Sequence, residues 1–200
     1  MVRPGAPGSP SLSLAPDELR APPRPQHTEA DVIFMQHMIV HHRQALVMSA
    51  LVPERAERQD LHALADRIER SQAVEIAFME RWLELRNEPF SAVEDEGHDG
   101  HHGHHHHHGA DGHGEEERPM AGMLTEAELR ALASARGPEF DQLFLQFMIM
   151  HHEGALTMVE ELLASPGAAL DSDMFDLASH VYSDQKMEID RMRNMLERDN

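Results

Sequence analysis

Asp31-Val-Ile-Phe-Met-Gln-His-Met-Ile-Val-His-His42 returns 110 residues later as Asp141-Gln-Leu-Phe-Leu-Gln-Phe-Met-Ile-Met-His-His152. The match runs on through Ala45-Leu46 and Met48 against Ala155-Leu156 and Met158. Farther along, Gln72, Glu75-Ile76 and Met79 align with Gln185, Glu188-Ile189 and Met192 at an offset of 113. A unit that repeats in this way is a duplicated supersecondary element. Each copy reads as a helical hairpin. Thr28 with Asp31 forms the pattern of a capping box, and Pro53 marks the end of the first helix. A second helix spans about residue 57 to Asn87. Thr125 with Glu128 opens a short extra helix that stops near Gly137. Pro138 suits the first turn of the next long helix, which ends at Ser165-Pro-Gly, and Asp171 or Ser172 caps the last. Nothing alternates with period two, so no strand is expected. The reading is all-α, a four-helix bundle built from two duplicated hairpins.

Four-three spacing picks out the face that each helix turns inward. The first gives Phe34, Met38, His41, Ala45, Met48 and Val52; its copy gives Phe144, Met148, His151, Ala155, Met158 and Leu162. Their partners give Ala65, Ile68, Gln72, Glu75, Met79 and Trp82, and Ala178, Val181, Gln185, Glu188, Met192 and Met195. At mid-length, His, Met, Gln and Glu replace aliphatic side chains on every helix. With the first turn near residue 56 or 57, His41 falls level with Gln72 and Met38 with Glu75. Burying such groups unpartnered costs about 1–3 kcal/mol each. The cluster therefore needs a complete hydrogen-bond network or a bound cation.

The donor types favour a soft or borderline metal: thioether sulfur suits Cu(I), and imidazole suits Cu(II), Zn and Ni. His41 and His151 are the inner candidates, one turn from Met38 and Met148. His42 and His152 stand 100° round the helix, as outer ligands or hydrogen-bonders. Glu75 and Glu188 are the candidate carboxylate ligands. No helix carries Glu-x-x-His, which a di-iron carboxylate bundle requires. No nucleophile–base pattern or phosphate-binding glycine loop is present, so no enzyme activity is expected.

Composition agrees with a cation as ligand. Among 200 residues, 36 are acidic and 17 are Lys or Arg, for a net charge of −19. Such a chain is a poor partner for nucleic acid. With 17 His, it titrates heavily between about pH 5 and 8. Cysteine is absent, which excludes disulfides and thiolate sites. No apolar run is long enough to span a membrane. The first 25 residues also lack an apolar run of signal-peptide length, a property shared by cytoplasmic proteins and mature exported chains.

These features divide the chain into a disordered arm at 1–27, a first hairpin at 28–89, a disordered linker at 90–119, and a short helix plus second hairpin at 120–199. The two hairpins form one bundle. The linker carries His101, His102, His104, His105, His106, His107 and His108 among Asp, Glu and Gly. Such a segment cannot bury enough apolar surface to fold alone. It offers low-specificity capture of copper, Zn or Ni, or else acts as a pH-sensitive tether.

The doubled Phe-x-x-x-Met-Ile-x-His-His-x-x-Ala-Leu core resembles the domain-of-unknown-function family numbered 305. Ser71-Gln-Ala-Val-Glu-Ile-Ala-Phe-Met79, Asp184-Gln-Lys-Met-Glu-Ile-Asp-Arg-Met192 and Met120-Ala-Gly-Met123 extend the likeness to about 140 of the 200 residues. The resemblance implies a ferritin-like arrangement, export to the periplasm or beyond the cell, and copper binding through Met and His. It carries over to Met38, His41, His42, Met148, His151 and His152, with Met120 and Met123 as further candidates. The expectation is a non-enzymatic protein that sequesters or delivers copper, as Cu(I) or Cu(II), with a homo-oligomer or a copper-handling protein as candidate partners. The alternatives are a ferritin-like metallo-oxidase that uses Glu75 and Glu188, and a structural or stress-related bundle whose loop binds Zn or Ni or buffers pH.

Overall fold

A computed structural model describes residues 27–90 and 120–198, together with β1 (Val2–Arg3) and β2 (Leu12–Ser13). Apart from β1, β2, His27 and Phe90, the arm at 1–27 and the linker at 90–119 fall outside the described residues, as do His101 to His108. The two strands pair antiparallel, Val2 opposite Ser13 and Arg3 opposite Leu12. Two residues are too few to leave an alternation that periodicity can detect.

Among the described residues, everything else with regular structure is helical. Helix α1 (Glu29–Ser49) starts at a capping box: the Asp31 backbone N–H donates to Thr28 Oγ1 at 3.3 Å, and the Thr28 N–H donates to Asp31 Oδ2 at 2.7 Å. Caps of this kind contribute about 1 kcal/mol. Pro53 lies within the first turn of a separate one-turn helix, α2 (Val52–Arg55). Helix α3 (Gln59–Arg86) closes on Asn87 in the left-handed region, φ 58°, a conformation Asn tolerates better than most residues. The short helix α4 (Glu126–Ser134) has its own Thr125–Glu128 box. Then follow α5 (Gly137–Ala164), with Pro138 in its first turn, and α6 (Ser172–Glu197), capped by Asp171.

The four long helices form two antiparallel hairpins, α1 with α3 and α5 with α6, joined along α1 and α5. Every residue on the four inward faces read from the sequence is buried except Glu75, which is intermediate. The apolar core splits in two. One cluster joins the end of α1 (Ala45, Met48) to the start of α5 (Phe140, Phe144, Met148). The other joins the start of α1 (Phe34, Met38) to the end of α5 (Ala155, Met158, Leu162). Helices α1 and α5 therefore run antiparallel, and the repeats are related by an approximate twofold axis. Met38 and Met148 lie in different clusters, on opposite sides of the histidine layer between them.

One pair of equivalent residues ties the repeats together. Asp31 Oδ1 accepts from the Ala169 N–H at 2.8 Å, in the turn of the second hairpin. Asp141 accepts from the N–H groups of Glu57 and Arg58, both at 3.1 Å, in the turn of the first. Each repeat thus supplies the carboxylate that satisfies the other's loop. Burial pushes the Asp141 carboxyl up, and these two backbone hydrogen bonds oppose it.

Candidate metal centre

Four imidazoles occupy the layer between the two apolar clusters, and all four residues are 0% exposed. His41 and His151 meet across the α1–α5 contact with ring centroids 3.8 Å apart and planes tilted by 36°. His42 Nε2 donates to Glu75 Oε2 at 2.6 Å, and His152 Nε2 donates to Glu188 Oε2 at 2.9 Å. His42 and His152 are thus fully interior, and each is oriented by a carboxylate from its hairpin partner. Glu75 pairs with His42, one turn along α1 from Met38. In the second hairpin Glu188 likewise meets His152.

The third hydrogen bond comes from outside the hairpins. His41 Nε2 donates to the Ala121 carbonyl at 3.0 Å. Ala121 lies in a strap, residues 120–125, that crosses α5 at Gly154. A Cβ on Gly154 would fall 2.1 Å from the Ala121 oxygen, and one on Gly122 2.6 Å from the Met150 oxygen. Gly122 also has φ +74°, open to glycine at little cost. Gln44 pins the strap in both directions, donating to the Leu124 carbonyl at 3.0 Å and accepting from the Leu124 N–H at 2.7 Å. Within the strap Met120 is half-buried and Met123 buried. Residue types and spacing in the sequence single out the methionines of this segment; its working atom is a backbone oxygen. The signal for it was Gly154, a glycine inside an otherwise regular helix, which marks a close approach of backbone.

Three of the rings use Nε2 in these bonds, and none of the four Nδ1 atoms has a hydrogen-bond partner. Neither nitrogen of His151 has one. Burial holds His41 down to about 3, the charge of His42 adds to this, and the bond to Ala121 opposes it. Burial, followed by the charge of His41, holds His151 well below the ordinary range. Both rings are therefore neutral at physiological pH, the form that binds metal. Gln72 and Gln185 are buried with both amide atoms unpartnered, and Glu188 Oε1 has no hydrogen bond. Arg67 Nε lies 3.5 Å from that oxygen.

His41 and His151 are thus neutral, each with an unpartnered Nδ1, and their chemistry fits a soft or borderline cation. Among the described residues, however, no three His, Asp or Glu side chains converge as a ready-made metal cage. The His and Met donors form a row: Met38, His41, His151 and Met148 follow one another along the α1–α5 contact. With a rise of about 1.5 Å per residue, the two Met-x-x-His steps place the sulfurs on opposite flanks.

The profile of the domain of unknown function DUF305 matches residues 31–196. The chain belongs to the DUF305 family. No curated protein matches it. Solved structures do. A DUF305 fragment from Deinococcus radiodurans is 29% identical, covers 87% of this chain and 99% of its own, and superposes with a TM-score of 0.68. A DUF305 protein from Streptomyces coelicolor, assigned as secreted, is 26% identical over 84% of this chain and 93% of its own, also with a TM-score of 0.68. CopM in its Cu(I)-bound form is 26% identical over 86% of this chain and 98% of its own, with a TM-score of 0.60. CopM in a Cu(II)-bound form gives 27% and 0.61.

Proposed function

We propose that this DUF305 protein binds copper and acts in its sequestration or delivery, without catalysing a reaction. The observation that carries the reading is the set of four buried imidazoles whose Nδ1 atoms lack partners. Leaving so many polar atoms unsatisfied costs several times about 1–3 kcal/mol, and a ligand cation would recover that energy. Carboxylate and carbonyl partners on the opposite ring nitrogens fix ring orientation and raise donor basicity, as they do around metal-bound histidines. The likeness to CopM, crystallised with Cu(I) and Cu(II), supports copper over Zn. Methionines flanking each inner histidine support Cu(I) as the more tightly held state.

In this reading the two hairpins, 28–89 and 120–199, make one ferritin-like four-helix bundle. His41, His42, His151 and His152, with Met38 and Met148, hold the ions, and Met120 and Met123 of the strap extend the soft donor set. Glu75 and Glu188 orient His42 and His152, which sets them apart from the ligands of a carboxylate oxidase. His101 to His108 capture copper, Zn or Ni weakly. The resemblance to a secreted relative supports a role outside the cytoplasm.

Metal analysis after purification without an immobilised-metal column tests the proposal. Reconstitution with Cu(I) under reductant should give tight stoichiometric binding that survives removal of residues 97–113. Binding confined to the linker would overturn it.

A further inference from the structure

Three sides of the helix array are shut, where α1 meets α3, α1 meets α5 and α5 meets α6. The strap at 120–125 lies over α5 beside α1, with Ala121 on His41. Helices α3 and α6 share no comparable contact, and between them runs a groove of about 890 Å³. Its walls reach both histidine–carboxylate couples. Glu75 lines it and holds His42; its side chain is 13% exposed, against 0% for His42. Arg67 also lines it and sits 3.5 Å from Glu188 Oε1, a buried oxygen with no hydrogen bond, while the other oxygen of that carboxylate holds His152.

We propose that this groove is the route by which a soft cation passes between solvent and the buried imidazoles, with Glu75 and Glu188 as the last stations before them. The inference rests on the metal-binding reading and adds a path to it. Charge favours the passage. The lining holds Glu75, Asp173, Asp176 and Asp184 against Arg67 and Arg70, and a cleft of net negative charge draws cations in. Arg67 is the movable element. Its side chain is 48% exposed, so its ion pair with Glu188 is easily exchanged for water and leaves a free carboxylate oxygen at the inner end. On the α1–α5 side, by contrast, a cation would have to part packed helices or lift a strap held by Gln44.

The absence of cysteine makes the test clean. Val74 lines the groove and is 70% exposed; Val47 on α1 is 57% exposed and lies away from the groove. Val74→Cys and Val47→Cys, each alkylated with a bulky maleimide in the full chain and loaded with Cu(I), are mixed with excess of a colorimetric Cu(I) chelator. Ions on the linker leave in a fast phase and ions in the core in a slow one. The label at position 74 should lengthen the slow phase at least tenfold with its amplitude unchanged, and the label at 47 should leave it unaltered. Arg67→Ala, unlabelled, should shorten it several-fold, which keeps the test alive if the labelled variant loses helicity. A slow phase that ignores both the plug and the arginine overturns the route while leaving copper binding intact. Absence of a slow phase in the unmodified protein overturns the metal-binding reading, and the route with it.

Discussion

His41 and His151, the same residue in the two repeats, face each other at 3.8 Å across the approximate twofold axis. Neither is charged at neutral pH, because burial holds both below their ordinary range. A stack of two neutral rings with free nitrogens gains little as a packing element, since an apolar pair would fill the space without unsatisfied atoms. That relationship is the basis for the first expectation. His41→Leu with His151→Leu should abolish tight Cu(I) binding while the helices persist. Isothermal titration in the chain lacking residues 97–113 measures the stoichiometry, and circular dichroism checks the fold. Unchanged core stoichiometry would place the ions elsewhere.

Acidification should weaken the fold through the same two residues. An unfolded histidine takes up a proton below about pH 6.5, whereas folded His41 resists protonation down to about 3 and His151 also remains neutral well below 6.5. The unfolded state then binds more protons, so stability is fully present above pH 6.5 and falls as pH drops below it. Between pH 7 and 5.5 the pair should cost about 2–3 kcal/mol. Urea unfolding of the apo protein at several pH values gives the slope. The double Leu variant should show a slope shallower by about that amount, and equal slopes would contradict the assignment.

Gly154→Ala separates helix propensity from tertiary contact. Alanine in mid-helix is worth about 1 kcal/mol over glycine. Here, however, the new Cβ would stand 2.1 Å from the Ala121 oxygen and 2.4 Å from its carbonyl carbon, both backbone atoms. Relieving the overlap requires moving the strap, at about 2–3 kcal/mol. The variant should therefore melt lower than the parent, and it should exchange the Leu124 amide faster as the Gln44 bonds give way. A rise in melting temperature would show that the strap is not seated on α5.

Deleting residues 97–113 should leave helicity close to that of the intact chain, because shortening a connection changes closure entropy only slowly. The number of weakly held Cu(II), Zn or Ni ions should fall. Those that remain on the intact linker should be released between about pH 7 and 5, where ordinary imidazole protonates, and core copper kept reduced should persist to lower pH. Dialysis against buffers of falling pH, with metal analysis, follows both populations. A cooperative loss of helix on deletion would make the segment structural.

Sequence alone determined the four long helices, the two capping boxes and the inward faces, because each depends on neighbours within a turn or two; it did not separate α2 from the end of the first helix. The Thr28–Asp31 and Thr125–Glu128 boxes, the Asp171 cap and the Met-x-x-His spacing are all local in this sense. So was the duplication, which placed His41 and His151 in equivalent positions before any contact was known. What tertiary structure decided is how those faces meet. It paired Glu75 with His42 and set Met38 in an apolar cluster. The antiparallel approach of α1 and α5 sent Met38 and Met148 to opposite flanks, a choice that depends on chain direction and not on spacing. The Ala121 carbonyl, the reciprocal Asp31 and Asp141 clamps and the open side between α3 and α6 arise from groups 80 to 140 residues apart in several cases. Backbone oxygens and turn N–H groups carry no residue-type signature, so their partners become legible only when folding brings them into reach.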